Sequence, residues 1–141
     1  PHCGRSWYRS SAPAVGTVIV EDGRALVTVR AGEPEKGRID LPGGFLEVEE
    51  HPVDGIVREA SEELGVEIEV MGDPILPAIH TYGPDGGYVL PIGFRARIVS
   101  GDPNPTDDVA DIRWISLEEV DAADFAWEHD RRMVQAGLED A

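Results

Sequence analysis

Between Pro52 and Gly65 the chain can place three carboxylates on one face of a helix, and this stretch constrains the fold more than any other. Pro52 suits the first helical position, Asp54 faces the positive end of the helix dipole, and Gly65 suits a left-handed C-terminal cap, so a helix is expected from Pro52 to Leu64. Ile56, Val57, Ala60 and Leu64 give it an apolar side. Glu59, Glu62 and Glu63 then stand at i, i+3 and i+4 and share a face. Three adjacent anions repel one another, and Arg58, four residues before Glu62, can offset only part of that repulsion. From Glu47 to Glu69 there are eight Glu and one Asp against the single Arg58. A solvated helix face accounts for most acidic stretches. The alternative is a metal cluster, and hard oxygen ligands at this density suit Mg²⁺ or Mn²⁺ rather than Zn²⁺.

The flanking sequence reads as strands. Ala14 to Val20 and Ala25 to Arg30 form a hairpin around Glu21-Asp22-Gly23, and a loop from Ala31 to Arg38 leads to Leu41-Pro42-Gly43-Gly44. Further strands are expected at Val66 to Met71, Ile75 to Tyr82, Tyr88 to Val99 and Asp111 to Ile115, in a mixed, mostly antiparallel sheet. Short helices are expected at Leu117 to Ala123 and Glu128 to Gly137, separated by an apolar patch containing Phe125 and Trp127.

Charge and length bound the function. The 141 residues carry 12 Lys and Arg against 28 Asp and Glu, a formal charge of −16. Phosphate polymers and anionic membranes favour basic surfaces, so neither a nucleic-acid polymer nor a membrane is expected as a partner. No apolar run approaches the ~18 residues of a membrane span and no signal peptide opens the sequence, so a cytoplasmic protein is expected. The sole cysteine, Cys3, excludes an internal disulfide framework.

From Gly44, five residues lead to Glu50 and seven more to Arg58-Glu59-Ala60-Ser61-Glu62-Glu63-Leu64-Gly65-Val66. This run resembles the Nudix box, G-x5-E-x7-R-E-U-x-E-E-x-G-U, at every fixed position, with Ala60 and Val66 at the aliphatic positions U. Seven named residues at fixed spacing, each with a background of roughly 5–8%, make a chance match on the order of one in a million or rarer. That outweighs the solvated-face reading. Leu41-Pro42-Gly43-Gly44 resembles the loop before the family's metal site, and Asp111 to Ile115 with Leu117-Glu118-Glu119 resembles its late strand and helix.

The resemblance implies an α/β fold, an α/β/α sandwich with a mixed curved sheet, over residues 13–141. It implies that Glu59, Glu62 and Glu63 bind divalent metal with help from the Gly43 carbonyl, that Arg58 orients the acids, and that Glu50 supports the loop–helix junction. A further acid often comes from a distal loop, and Asp108, six residues before Trp114, occupies that position; loop solubility is the plain alternative for Asp107, Asp108 and Asp111. The implied activity is Mg²⁺-dependent hydrolysis of a phosphoanhydride bond in a nucleoside diphosphate linked to another group, such as ADP-ribose, NADH or a nucleoside triphosphate. Either Glu59 or Glu63 serves as the base. Arg30, Arg38, Arg95 and Arg97 are candidates to meet phosphates, and Tyr8, Tyr82, Tyr88 and Trp127 to stack on a base. A homodimer is compatible with this reading. The alternative is a non-catalytic nucleotide sensor, but such relatives usually carry a winged helix and often a damaged box, whereas here the box is intact.

Two residues fit the helix poorly and the amino terminus is unusual. His51 stands where Ser or Thr would cap better, and Gly55 costs about 1 kcal/mol relative to Ala in a helix interior. Cys3-Gly4 resembles the end of a zinc knuckle, so residues 1–12 are read as the remnant or the join of an N-terminal zinc ribbon, with a lone buried cysteine as the alternative. One cysteine cannot by itself hold a structural zinc, which takes four ligands.

Overall fold

Strands β1 (Ala12–Glu21) and β2 (Arg24–Arg30) form the expected hairpin in the computed structural model, which describes residues 4–6, 9–82 and 87–141. Two short strands, β3 (Ile39–Asp40) and β4 (Gly43–Phe45), follow, then α1 (Pro52–Leu64) and β5 (Glu67–Ile75). The chain continues through β6 (His80–Tyr82), β7 (Gly87–Ser100), β8 (Val109–Ser116), a 3-10 turn at Leu117–Glu119, and α2 (Glu128–Glu139). The strands run β3-β2-β1-β7-β5, with β4 on β1, β6 on β7 and β8 on β2. The sheet is mixed: β1 and β7 run parallel from Ala12↔Val89 to Ile19↔Ala96, and the other described pairs are antiparallel.

Strand alternation sends side chains to two separate cores. On β1, Val15 and Ile19 pack with Ile56, Ala60 and Leu64 of α1, whereas Val18 packs with Met133, Val134 and Leu138 of α2. On β2, Leu26 joins the α1 side while Ala25, Val27 and Val29 join the α2 side. The result is the α/β/α layering that the resemblance implied. Truncating Ile56 or Leu64, both fully buried, to Ala would cost about 2–5 kcal/mol.

Several elements differ from the sequence reading. Gly43–Phe45, read as loop, is a strand because Gly43 and Gly44 pair with Gly16 and Val15 of β1. The expected strand from Ile75 to Tyr82 is split: Ile75 closes β5, and pairing resumes only at His80. The helix expected from Leu117 to Ala123 is only a 3-10 turn, closed by a capping box in which Ser116 and Glu119 satisfy one another. Helix α2 continues past Gly137 to Glu139, and Gly137 lies against β1, where a Cβ would come 2.7 Å from Val18 Cγ1. His51 is a working cap, its Nδ1 accepting from Val53 N–H at 3.2 Å. Gly55 lets Leu46 pack close to the helix, since a Cβ there would meet Leu46 Cδ2 at 2.5 Å and displace that side-chain end. Cys3 and Tyr8 lie outside the described residues.

Candidate active site

Helix α1 stops at Gly65, whose φ of 67° is the left-handed conformation the sequence suggested. Its last carbonyls are then satisfied by the segment before β8. Thr106 N–H donates to Glu63 O at 2.9 Å, Asn104 N–H donates to Leu64 O at 3.0 Å, and the Thr106 hydroxyl donates to Glu62 O. This docking carries Asp108 to the acidic face of the helix. The Asp108 carbonyl in turn accepts from Ala31 N–H at 3.0 Å, which ties the segment to the end of β2.

Arg58 organises the acids. Its Nε and Nη2 donate to the two oxygens of Glu50 at 2.7 and 2.9 Å, and its Nη1 donates to Glu59 at 2.9 Å and to Glu62 at 3.2 Å. The two-pronged bond fixes the guanidinium plane, so the third nitrogen sets where Glu59 lies. Hydrogen bonding from Arg58 holds the Glu50 carboxyl down to about 2, and the Glu47 N–H bond at 3.0 Å adds to it. Glu50 therefore joins the loop at Glu47 to the helix at Arg58.

Glycines make room for the carboxylates. A Cβ at Gly44 would come 2.5 Å from Glu59 Oε1, and one at Gly43 would collide with the Val15 carbonyl. With no side chain there, Gly43 N–H reaches Glu63 Oε2 at 2.9 Å. Glu63 is only 7% exposed, and burial pushes its carboxyl up to about 9 against the Gly43 bond, with the charges of Glu59, Asp108 and Asp40 adding to the rise. Burial also raises Glu59, opposed by Arg58 and reinforced by Glu62 and Asp108.

Glu59 thus lies in the field of Glu62 and Asp108, and Glu63 in that of Glu59 and Asp108, while Glu62 itself is half exposed and paired with Arg58. Among the described residues no three His, Cys, Asp or Glu side chains form a preassembled metal cage. The donor set nevertheless fits a hard divalent cation: it is all carboxylate, partly buried, and mutually repelling until a cation is shared.

Beside the acids opens a cavity of ≈ 200 Å³. Arg30, Asp40, Gly43 and Asp108 line both this cavity and the smaller recess that contains Glu63. Val15, Leu41, Met133 and Trp127 give it apolar and aromatic walls. Arg30 lies inside, but it donates to Asp40 at 2.6 Å and to the Pro34 carbonyl at 2.8 Å, and its guanidinium sits 4.5 Å from the centre of the Trp127 ring. Arg38 is elsewhere, paired with Glu35 at 2.9 Å and Asp124 at 3.0 Å, and Arg97 pairs with Glu69. Arg95 donates to the Asp140 carbonyl. None of these three lines the cavity.

Sequence reasoning missed Asp40 and Asp130. Asp40 is half-buried between Thr28 and Arg30, and desolvation raises its carboxyl to about 6 despite their hydrogen bonds. Asp130 occupies the buried face of α2 with Met133, Val134, Gly137 and Leu138, at i, i+3, i+4, i+7 and i+8. A carboxylate on that apolar stripe was the available signal.

The sequence model of the NUDIX domain matches residues 10–136. A MutT-like protein of Streptomyces ambofaciens is 32% identical over 110 residues, covering 78% of this chain and 66% of that protein. An ADP-ribose pyrophosphatase of Methanocaldococcus jannaschii is 30% identical over 127 residues, covering 88% of this chain and 72% of that protein. The crystal structure of a NUDIX hydrolase from Nitrosomonas europaea superposes with a TM-score of 0.79 at 26% identity, over 99% of this chain and 77% of the other. With an unbroken box and a family match over nearly its whole length, the chain belongs to the NUDIX domain family.

Proposed function

We propose that this chain hydrolyses a phosphoanhydride bond in a nucleoside diphosphate linked to another group, using Mg²⁺ or Mn²⁺ held by Glu59, Glu62 and Glu63, with the Gly43 carbonyl and Asp108 assisting. The observation that carries this reading is that Glu63 and Asp108 share a recess whose walls continue into the cavity, while Glu59, on the same helix face, lies against Gly44 of the cavity wall. A pyrophosphate resists attack because its anionic oxygens repel a nucleophile; the bound cations supply charge neutralisation and a water of lowered pKa. The chain's own residues do the rest. Arg58 holds Glu59 in place, Gly43 N–H holds Glu63, and one of these two carboxylates accepts the proton of the attacking water.

The similarity to an ADP-ribose pyrophosphatase supports ADP-ribose as the first substrate to try, with NADH and nucleoside triphosphates next. Residues 13–141 form the hydrolase domain in this reading, and residues 1–12 are the remnant or the join of an N-terminal zinc ribbon, with a lone cysteine as the alternative. No helix among the described residues is long and apolar enough to cross a membrane. The deciding experiment is a substrate panel assayed for nucleoside monophosphate release with and without Mg²⁺. Metal-dependent release establishes the enzyme. Saturable nucleotide binding without release on any substrate would instead make the chain a sensor.

A further inference from the structure

The carbonyls at the end of α1 are shared between two donors of different origin. Gly65 N–H serves Ala60 and Ser61 from within the helix cap. The next three are reached from a distant segment: the Thr106 hydroxyl donates to Glu62 O, 44 residues earlier, Thr106 N–H to Glu63 O at 2.9 Å, and Asn104 N–H to Leu64 O at 3.0 Å. Thr106 alone therefore grips the backbone of two adjacent glutamates of the acid cluster. Any residue but proline would supply the N–H donors at 104 and 106. The hydroxyl is the part of this cap that depends on which side chain is present.

Two bonds from one residue do what a single bond cannot. One N–H donor leaves the following turn free to pivot about it, whereas a second donor on the neighbouring carbonyl fixes its orientation, and branching at Cβ restricts the rotamers of Thr. The chain turns at once after Thr106: Val109 N–H donates back to Thr106 O at 3.1 Å, and Asp107 takes a left-handed φ of 56°. Asp108 sits inside this turn, its carbonyl accepting from Ala31 N–H at 3.0 Å. It lines the recess that contains Glu63, and its charge acts on both Glu63 and Glu59.

We infer that Thr106 is a positioning residue for the metal site: its hydroxyl locks the Asp108 turn to the end of α1 and so sets the register between Asp108 and the glutamates of the box. The inference rests on the reading of these carboxylates as the holders of a divalent cation. It adds a residue outside the box, one that acts through Asp108. Carboxylates from two segments far apart in sequence share a cation best when their separation is fixed before the cation arrives. Otherwise binding must also order the loop, and affinity falls.

The test is Mn²⁺ binding to the whole chain without nucleotide, read from the electron paramagnetic resonance signal of the free ion. Thr106→Val keeps the shape and removes the hydroxyl, so it should bind Mn²⁺ at least about fivefold more weakly, as should Thr106→Ala. Thr106→Ser restores the donor and should stay within about twofold of the native chain. Thr106 is exposed, and melting curves should show each variant folded. In an Asp108→Asn background, adding Thr106→Val should change affinity by less than about twofold, because the anchor has no carboxylate left to place. Asp107→Asn removes the neighbouring charge and keeps a residue that tolerates the left-handed conformation, so it should also stay within about twofold. Native affinity in Thr106→Val, an equal loss in Thr106→Ser or Asp107→Asn, or an undiminished effect in the Asp108→Asn background overturns the inference and leaves the hydrolase reading standing. No saturable Mn²⁺ binding by the native chain overturns both. Mn²⁺ binding that depends on Thr106 in this way, without hydrolysis across the substrate panel, would remove the catalytic reading and keep the anchor.

Discussion

Gly44 lies so close to the Glu59 carboxylate that a Cβ at position 44 would come 2.5 Å from Glu59 Oε1. The glycine and the glutamate are therefore one device, joined across 15 positions of sequence. In Gly44→Ala the flexible end of Glu59 must give way, losing its 2.9 Å bond to Arg58. Stability should change by no more than about 1 kcal/mol, because a side-chain tip and not backbone is displaced. Activity should fall at least about tenfold, the scale expected when a positioned acid is moved. Full kcat/KM in Gly44→Ala would show that the placement of Glu59 has no bearing on the reaction.

The three glutamates of α1 should fail together. Gln at 59, 62 or 63 keeps the shape and removes a negative charge, so turnover should drop by about a hundredfold or more. Glu62, half exposed and paired with Arg58, should be the mildest of the three. The control is Glu67→Gln, whose side chain is exposed at the start of β5 and should change little. Near-normal rates in all three variants, or an equal loss in the control, would remove α1 from the catalytic site.

How far these residues could be read from sequence depends on what places each one. Glu59, Glu62 and Glu63 were legible because helical periodicity and box spacing both fix them locally. Asp108 was a weaker reading because its position depends on the Thr106 and Asn104 bonds to the end of α1, a contact between segments about 40 residues apart. Gly55 looked like a defect on propensity alone, and only the approach of Leu46 and Glu50 explains it. His51 was undervalued in the same way, since an imidazole nitrogen can accept an N-terminal N–H as a hydroxyl does. Arg30 and Arg38 illustrate the limit: sequence shows a cation but not the carboxylate that claims it. The short strands β3 and β4 escaped notice because two or three residues carry no period.

Ionic selectivity follows from the donor set. An all-carboxylate site should be served by Mg²⁺ or Mn²⁺ and poorly by softer ions, and chelator should abolish turnover. Zinc, if present in the full-length protein, should be confined to a ribbon completed by cysteines upstream of Cys3. Metal analysis of native protein before and after mild chelation separates the two populations. Full turnover in strong chelator would rule out the metal mechanism, and absence of both zinc and upstream cysteines would leave Cys3 an ordinary residue.

The acid cluster should also make the metal-free protein weaker as pH rises, the reverse of what paired surface carboxylates do. Glu63 ionises in the unfolded chain at its ordinary value of 4.5, but burial holds it protonated in the folded chain up to about 9. Between these values the unfolded state sheds a proton that the folded state keeps, so stability is fully present below 4.5 and is lost as pH climbs toward 9. One proton sets a slope of at most about 1.4 kcal/mol per pH unit. Glu50 acts in the opposite sense, but only between its folded value of about 2 and its ordinary 4.5, so the two windows do not overlap. Melting curves in chelator from pH 5 to 9 should therefore fall steadily, and Glu63→Gln should flatten them above about pH 6, below which Asp40, raised to about 6, contributes in the same sense. Saturating Mg²⁺ should restore stability at the alkaline end, because a bound cation favours the ionised carboxylate. A metal-free melting temperature that stays level or rises over this range, or a slope unchanged in Glu63→Gln, would mean that Glu63 is not held protonated by its burial.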